Sequence, residues 1–221
     1  MRGSMADPAY WKQQYFLAGR LKTLLPERRL LNCMEVAPGD GRYIAYMCPD
    51  KESSSRLDNY IVFGGVDEDV EDTLKKQAEV FRTGIQFLEW EPGKKAGRLG
   101  LKQASVDAAL LAPGAADRLG TSGLRPALAE VRSALRSDGR LLLVAAPEDE
   151  AAFGGLEAPL DAQDMLALQE LDDIGLEDAE LPPGQVLRSA GLRLVKVVRD
   201  ECDLAIGVCL KCDGDEAPRA V

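Results

Sequence analysis

The residue types in this chain that could do chemistry are carboxylates, glycines and thiols, because histidine is absent. That removes the usual base at neutral pH and the commonest metal ligand. Any proton transfer falls to Asp, Glu, Tyr, Cys or Lys, or is not needed. The densest chemical signal is Glu35-Val36-Ala37-Pro38-Gly39-Asp40-Gly41-Arg42, which follows a short apolar run. Small residues at a strand-to-helix turn let the backbone come close to a ligand, and the helix that follows aims N–H groups at it. In open parallel sheets ligands sit at the carboxyl ends of the strands, where the strand order reverses. Such turns also occur in dinucleotide dehydrogenases. Here only Gly39 and Gly41 are present, so the spacing departs from GxGxxG, and no GxxxxGK[ST] phosphate loop occurs.

The thiols point elsewhere. Cys209 and Cys212 form a CxxC, with Cys202 nearby. A zinc site wants about four ligands, and there is no second CxxC and no histidine to complete one. Positions three apart on a strand also face opposite sides. Buried free thiols and no metal are the expectation. The Cys count is five, an odd number without a secretory signal, which favours reduced thiols over a disulfide framework.

Alternating elements must position these groups. DPAYWKQQYFLAGRLKTLLPERR reads as a helix, with Asp7 as N-cap, Pro8 in the first turn and Leu21, Leu24 and Leu25 at helical spacing. Tyr10, Trp11 and Tyr15 lie on it, either as a cover over a ligand or as an aromatic face packed on the sheet. LLNCMEVAP is a buried strand, and DGRYIAYMC continues as a helix. YIVFGGVDED, IQFLEWEP, SVDAALLAP and LLLVAAP read as further strands. VEDTLKKQAEVFR and residues 121–137 read as helices, the second ending in a DGR turn. Residues 148–185 are acidic and rich in Ala and Leu, with helix at DAQDMLALQELDD. PPGQVLRSAG is a short last helix, and GLRLVKVVRDECDLAIGVCLKC is a hairpin turning near Asp200 to Asp203. Alternation predicts a parallel sheet covered on both faces, and the final hairpin adds an antiparallel edge.

With 221 residues and 46% hydrophobic residues, one packed domain is expected. MRGSM looks like an expression leader before a start at Met5, residues 6–212 form the domain, and residues 213–221 are a frayed tail. Lys plus Arg is 27 against 37 for Asp plus Glu, a net charge of −10 that offers no general footprint for nucleic acid. No run approaches the roughly 18 apolar residues of a membrane span. A cytoplasmic location is the expectation, with a mature organellar protein as the other option.

MEVAPGDGRYIAYM resembles motif I of class I S-adenosylmethionine-dependent methyltransferases, where an acid and a Gly-x-Gly loop surround the methionine part of the cofactor. Further segments match in order. GGVDED resembles the end of that family's second strand, which implies Asp67, with Glu68 beside it, at the ribose hydroxyls. FLEWEPG resembles the third strand, which implies Glu91 and Pro92 near the adenine, with Glu89 competing with Glu91 for that role. SVDAALLAPG, LAEVRSALRSDGRLLLVAAP and LPPGQVLRSAGLRLVKVVRD are similar to the fourth and fifth strands and the final helix and strand of the small-molecule, type 11 branch. The resemblance spans residues 30 to 211. It implies a Rossmann-like methyltransferase fold: a mostly parallel seven-stranded sheet with a C-terminal antiparallel hairpin and helices on both faces. It also implies S-adenosyl-L-methionine as cofactor, held by Glu35, Ala37, Pro38, Gly39, Gly41, Asp67, Glu68, Glu91, Pro92 and Leu111.

That chemistry suits these residue types. One carboxylate can accept both vicinal ribose hydroxyls, and an acidic, partly desolvated pocket favours a sulfonium. Methyl transfer is an in-line displacement that depends mainly on positioning. The sequence departs from the pattern in three places. Ala37 replaces the first glycine of the loop, the stretch from Arg42 to Asp67 is long, and the fourth strand ends in Ala112-Pro113-Gly114 without a polar or aromatic acceptor-placing residue. The expectation is methyl transfer to a small-molecule acceptor. The alternative is an inactive methyltransferase-like subunit within a larger protein assembly. A nicotinamide-dependent oxidoreductase of related topology is a third option, opposed by the loop spacing.

Overall fold

The computed structural model describes residues 8–26, 28–47, 57–89, 102–146, 185–199 and 204–212. The leader, the tail, Asp7, Glu91, Pro92, Cys202, the turn at residues 200–203 and nearly all of the 148–185 segment lie outside the described residues, as do the side chains of Tyr10 and Trp11.

Helix α1 (Pro8–Leu24) comes first, followed by β1 (Leu30–Val36), α2 (Ile44–Met47), β2 (Leu57–Phe63), α3 (Glu68–Phe81) and β3 (Gly84–Leu88). Then come β4 (Val106–Leu111), α4 (Ala115–Leu119), α5 (Thr121–Ala134) and β5 (Leu135–Ala145). The chain closes with α6 (Gln185–Ser189), β6 (Leu192–Arg199) and β7 (Ala205–Lys211). The seven strands form one sheet in the order β3-β2-β1-β4-β5-β7-β6. The first five are parallel, and β7 lies reversed between β5 and β6. The fold is therefore the expected Rossmann-like one, with its antiparallel hairpin at the C-terminal edge.

The alternation of side chains along each strand separates two apolar layers. On one face Cys33, Tyr60, Val62, Ala108 and Leu110 meet Leu17 and Leu21 of α1, Ile44 of α2 and Leu74 of α3. On the other, Met34, Val36, Ala109 and Leu111 meet Leu128 and Val131 of α5 and Leu187 of α6. All six positions of β4 are buried, as a central strand covered on both faces requires. In α1 the leucines pack as expected, whereas Tyr15 is 87% exposed and does not pack on the sheet.

Boundaries differ from the sequence reading in physically explicable ways. Helix α5 stops at Ala134 rather than continuing to 137. Its last carbonyls, on Ser133 and Ala134, accept from the Ala104 and Ser105 amides entering β4 at 3.1 and 2.9 Å. The chain then leaves in an extended conformation at Leu135, which pairs with Val106, and pairing resumes at Arg140 with Ala108. The DGR turn is the excursion between those pairs. Helix α4 was not expected at all; at five residues it is too short to show a period.

The amino-terminal edge of the sheet is tied by one buried acid. Asp107 accepts from the Leu31 and Asn32 amides at 2.7 and 2.9 Å and pairs with Arg28 and, at 3.3 Å, with Arg136. Burial works against its charge, but these donors outweigh it and hold the carboxyl below its ordinary range. Arg28 also grips Asp138 through 2.9 and 3.0 Å bonds, and Arg140 donates to the Leu24 carbonyl at the end of α1 at 2.7 Å.

Candidate functional site

The strand ends that matter are level. In the parallel ladders Leu88 pairs with Phe63, Phe63 with Val36, Val36 with Leu111, and Leu111 with Leu143. One row thus crosses the sheet, and the turns that leave it share one edge. The order reverses between β1 and β4, so the turns after Val36 and Leu111 flank the switch point, where open sheets take their ligands.

The β1 turn is tightly built. The Ala37 amide donates to the Phe63 carbonyl at 2.7 Å, which carries the β1–β2 ladder one residue beyond the strand. Ala37 then takes φ 46°, a left-handed conformation that costs a non-glycine residue about 1 kcal/mol. The β2 turn presses against it: a Cβ on Gly64, itself at φ 113°, would stand 3.4 Å from the Ala37 Cα. Gly41 is buried at φ 74°, and a Cβ there would stand 3.0 Å from Cγ of Leu74. The second loop glycine therefore lets α3 pack against the turn.

Glu35 is the one described carboxylate of this edge that is wholly buried. It is 0% exposed, and its Oε2 accepts from the Tyr60 hydroxyl at 2.7 Å. Its Oε1 is buried with no hydrogen-bond partner. Burial raises its pKa to about 7; Asp40 pushes the same way, while the Tyr60 hydroxyl and Arg118 oppose. Tyr43, also buried and electrostatically coupled to Glu35, has its hydroxyl pushed well above its ordinary value, chiefly by desolvation. Glu35 thus changes charge near neutrality. The turn's other acid, Asp40, is paired with Arg42, which outweighs partial burial and holds it low.

The remaining expected residues separate into two kinds. Pro38 is buried and Gly39 half-buried in the turn. Leu111 is 1% exposed and belongs to the core against α5 rather than to the surface of the turn. Asp67 is exposed at the N-cap of α3, with φ −69° and ψ 154°. Its side chain makes no capping bond, although its carbonyl accepts from the Glu71 amide at 2.9 Å. Glu68, exposed, opens the helix beside it. The carboxylate best suited by type to cap α3 is not used for that purpose.

One residue was missed by sequence reasoning. Arg118, on α4, reaches back across the switch point. Its Nε donates to the Ala37 carbonyl at 2.8 Å and its Nη2 to the Pro113 carbonyl at 3.1 Å. Nη1 lies 2.9 Å from where a Cβ on Gly114 would stand and 3.5 Å from one on Gly39. A guanidinium therefore bridges the β1 and β4 turns. The usable signal was a short segment bracketed by Gly114 and Gly120, both of which adopt positive φ.

Among the described residues there is no cluster of His, Cys, Asp and Glu able to hold a metal ion, and no helix long and apolar enough to cross a membrane. Cys209 is buried and free, its thiol pushed up by burial and by Cys212.

No family model and no curated protein sequence matches the chain. Solved structures do. The TehB-like SAM-dependent methyltransferase from Corynebacterium glutamicum is similar over 93% of this chain and 100% of its own, at 16% identity and a TM-score of 0.51. CalH, a trans-methyltransferase solved in complex with SAH, is similar over 90% of this chain and 55% of its own, at 15% identity and a TM-score of 0.55. YcgJ from Bacillus subtilis is similar over 90% of this chain and 100% of its own, at 13% identity and a TM-score of 0.51. At such identities the likeness shows the fold: the chain has the Rossmann-like architecture of class I S-adenosylmethionine-dependent methyltransferases.

Proposed function

We propose that this chain, built on the class I methyltransferase fold, binds S-adenosyl-L-methionine at the switch point and transfers its methyl group to a small-molecule acceptor. The observation that carries this reading is Glu35: a carboxylate buried at the base of the β1 turn, with Oε1 lacking a partner. A buried acceptor without a hydrogen bond costs about 1–3 kcal/mol, which a cationic ligand seated over the turn would offset. Similar solved structures include SAM-dependent methyltransferases, one of them holding SAH, and they support the same chemistry.

The residues fit such a ligand. Glu35, Ala37, Pro38, Gly39 and Gly41 would surround its methionine part. Asp67, uncommitted to capping α3, would accept the two ribose hydroxyls, with Glu68 beside it. Glu91 and Pro92, which are outside the described residues, would lie by the adenine, and Leu111 would floor the site. The cofactor supplies an activated methyl group on a sulfonium. The chain's part is to hold and orient that ligand and to exclude water, since in-line displacement responds chiefly to position. With no histidine in the chain, an acceptor that must lose a proton would use a carboxylate or tyrosine, and an acceptor that is already a nucleophile would need no base.

Calorimetry with S-adenosylhomocysteine tests this. The expected result is saturable binding that Asp67→Ala weakens about 10-fold or more, the worth of a charge-assisted hydrogen bond. Absence of heat at millimolar ligand, or an affinity unmoved by Asp67→Ala, would refute it. Binding without turnover of any acceptor would instead mark a methyltransferase-like subunit of an assembly.

A further inference from the structure

Arg118 is the group at this edge that the cofactor scheme leaves unassigned. Its helix has five residues and follows β4, and its side chain spans to the β1 turn through the Ala37 carbonyl at 2.8 Å while holding the Pro113 carbonyl at 3.1 Å. The planar fork is thereby fixed at two points on two different turns. The fork packs over Gly39 and Gly114: a Cβ on Gly114 would stand 2.9 Å from Nη1, and one on Gly39 would touch it at an ordinary 3.5 Å. A lysine could not reproduce this arrangement, because its point charge lacks the fork.

The charges around it are ordered. Glu35 lies buried below the turn, and Arg118 counters the rise in its pKa. Glu35, wholly buried, acts on the turn only through its field, whereas Arg118 is exposed at the same edge. A ligand with a positive centre near one side and a carboxylate near the other would match both. A guanidinium presented beside backbone is the usual partner for a carboxylate, which it can bind through two parallel hydrogen bonds.

We propose that Arg118 is the specificity-determining residue of the switch-point crevice, selecting ligands whose amino-acid end carries a carboxylate. This rests on the proposed function and deepens it. The two probes are S-adenosylhomocysteine, which has the carboxylate, and 5′-methylthioadenosine, which shares the adenosine and thioether but lacks the whole amino-acid end. Binding of both is measured by calorimetry for the wild type, Arg118→Ala and Arg118→Lys. The expected pattern is a loss of about 10- to 100-fold in affinity for S-adenosylhomocysteine on Arg118→Ala, the range of one or two charge-assisted hydrogen bonds. Arg118→Lys should recover part of that loss, and 5′-methylthioadenosine should change less than about 3-fold in either variant. Retained 5′-methylthioadenosine binding also shows that the variants are folded. Equal losses for both probes would overturn the proposal in favour of a clasp that merely sets the spacing of the turns, while the cofactor reading survives. Unchanged affinity for both would overturn it outright. If the wild type binds neither probe, the cofactor reading itself fails and this inference falls with it.

Discussion

At the scale of single residues, Glu35 is the most informative group. Its carboxyl is buried, takes one hydrogen bond from Tyr60, and has its pKa raised from 4.5 to about 7. A raised carboxyl pKa means that the folded state holds its proton more tightly than the unfolded chain does. Stability contributed at this site is therefore present below about pH 4.5 and is lost as pH rises toward about 7. Glu35→Gln keeps an acceptor for Tyr60 and cannot ionise. It should match the wild type in stability near pH 4.5 and exceed it above pH 8, by at most about 3 kcal/mol. Denaturant midpoints measured across that range check this, and a difference independent of pH would contradict it. Glu35 and the glycines beside it were visible in the sequence because an acid and small residues closed an apolar run. Arg118 was not, because its partners, Ala37 and Pro113, are backbone carbonyls on two separate turns. A hydrogen bond across 81 positions leaves no local pattern to read.

At the scale of elements, legibility followed length and burial. The apolar runs that became β1, β2 and β4 were clear because central strands are buried on both faces, and α3 was clear because its fourteen residues sustain a helical stripe. Short α4 showed no period, and the end of α5 was set by tertiary hydrogen bonds to Ala104 and Ser105 rather than by a local stop signal. The same dependence on distant partners governs the amino-terminal edge. Asp107 satisfies two amides of β1 and pairs with Arg28 and Arg136. Asp107→Ala leaves those part-buried amides without their acceptor and Arg28 and Arg136 without their buried partner, and should cost about 3 kcal/mol. Because this edge lies opposite the candidate site, ligand affinity should be unchanged where the variant is folded. Denaturant unfolding combined with a binding titration separates the two effects. A mild loss of stability with a large loss of affinity would mean that the two edges are coupled.

At the scale of the whole molecule, the strand order decides where function can sit. The chain winds outward from β1 to β3, returns to β4 and then moves the other way, so β1 and β4 are neighbours whose following segments diverge. A crevice at their carboxyl ends follows from that winding. The reversed β7 and the edge strand β6 close the far side of the sheet, where the buried Cys209 and the β6–β7 hairpin are remote from the β1 turn. Alternation and the terminal hairpin were both legible from residues 30 to 211. The insertion of β7 between β5 and β6 was not, since a hairpin can add to a sheet by either strand.

The most direct test of the central claim is amide hydrogen exchange with and without saturating S-adenosylhomocysteine. The account predicts slowed exchange at the turns 37–43, 64–68 and 112–118 and in the segment carrying Glu91, with the β6–β7 hairpin and the Asp107 edge unchanged. Protection that spares the β1 turn, or none at ligand concentrations in the millimolar range, would contradict it.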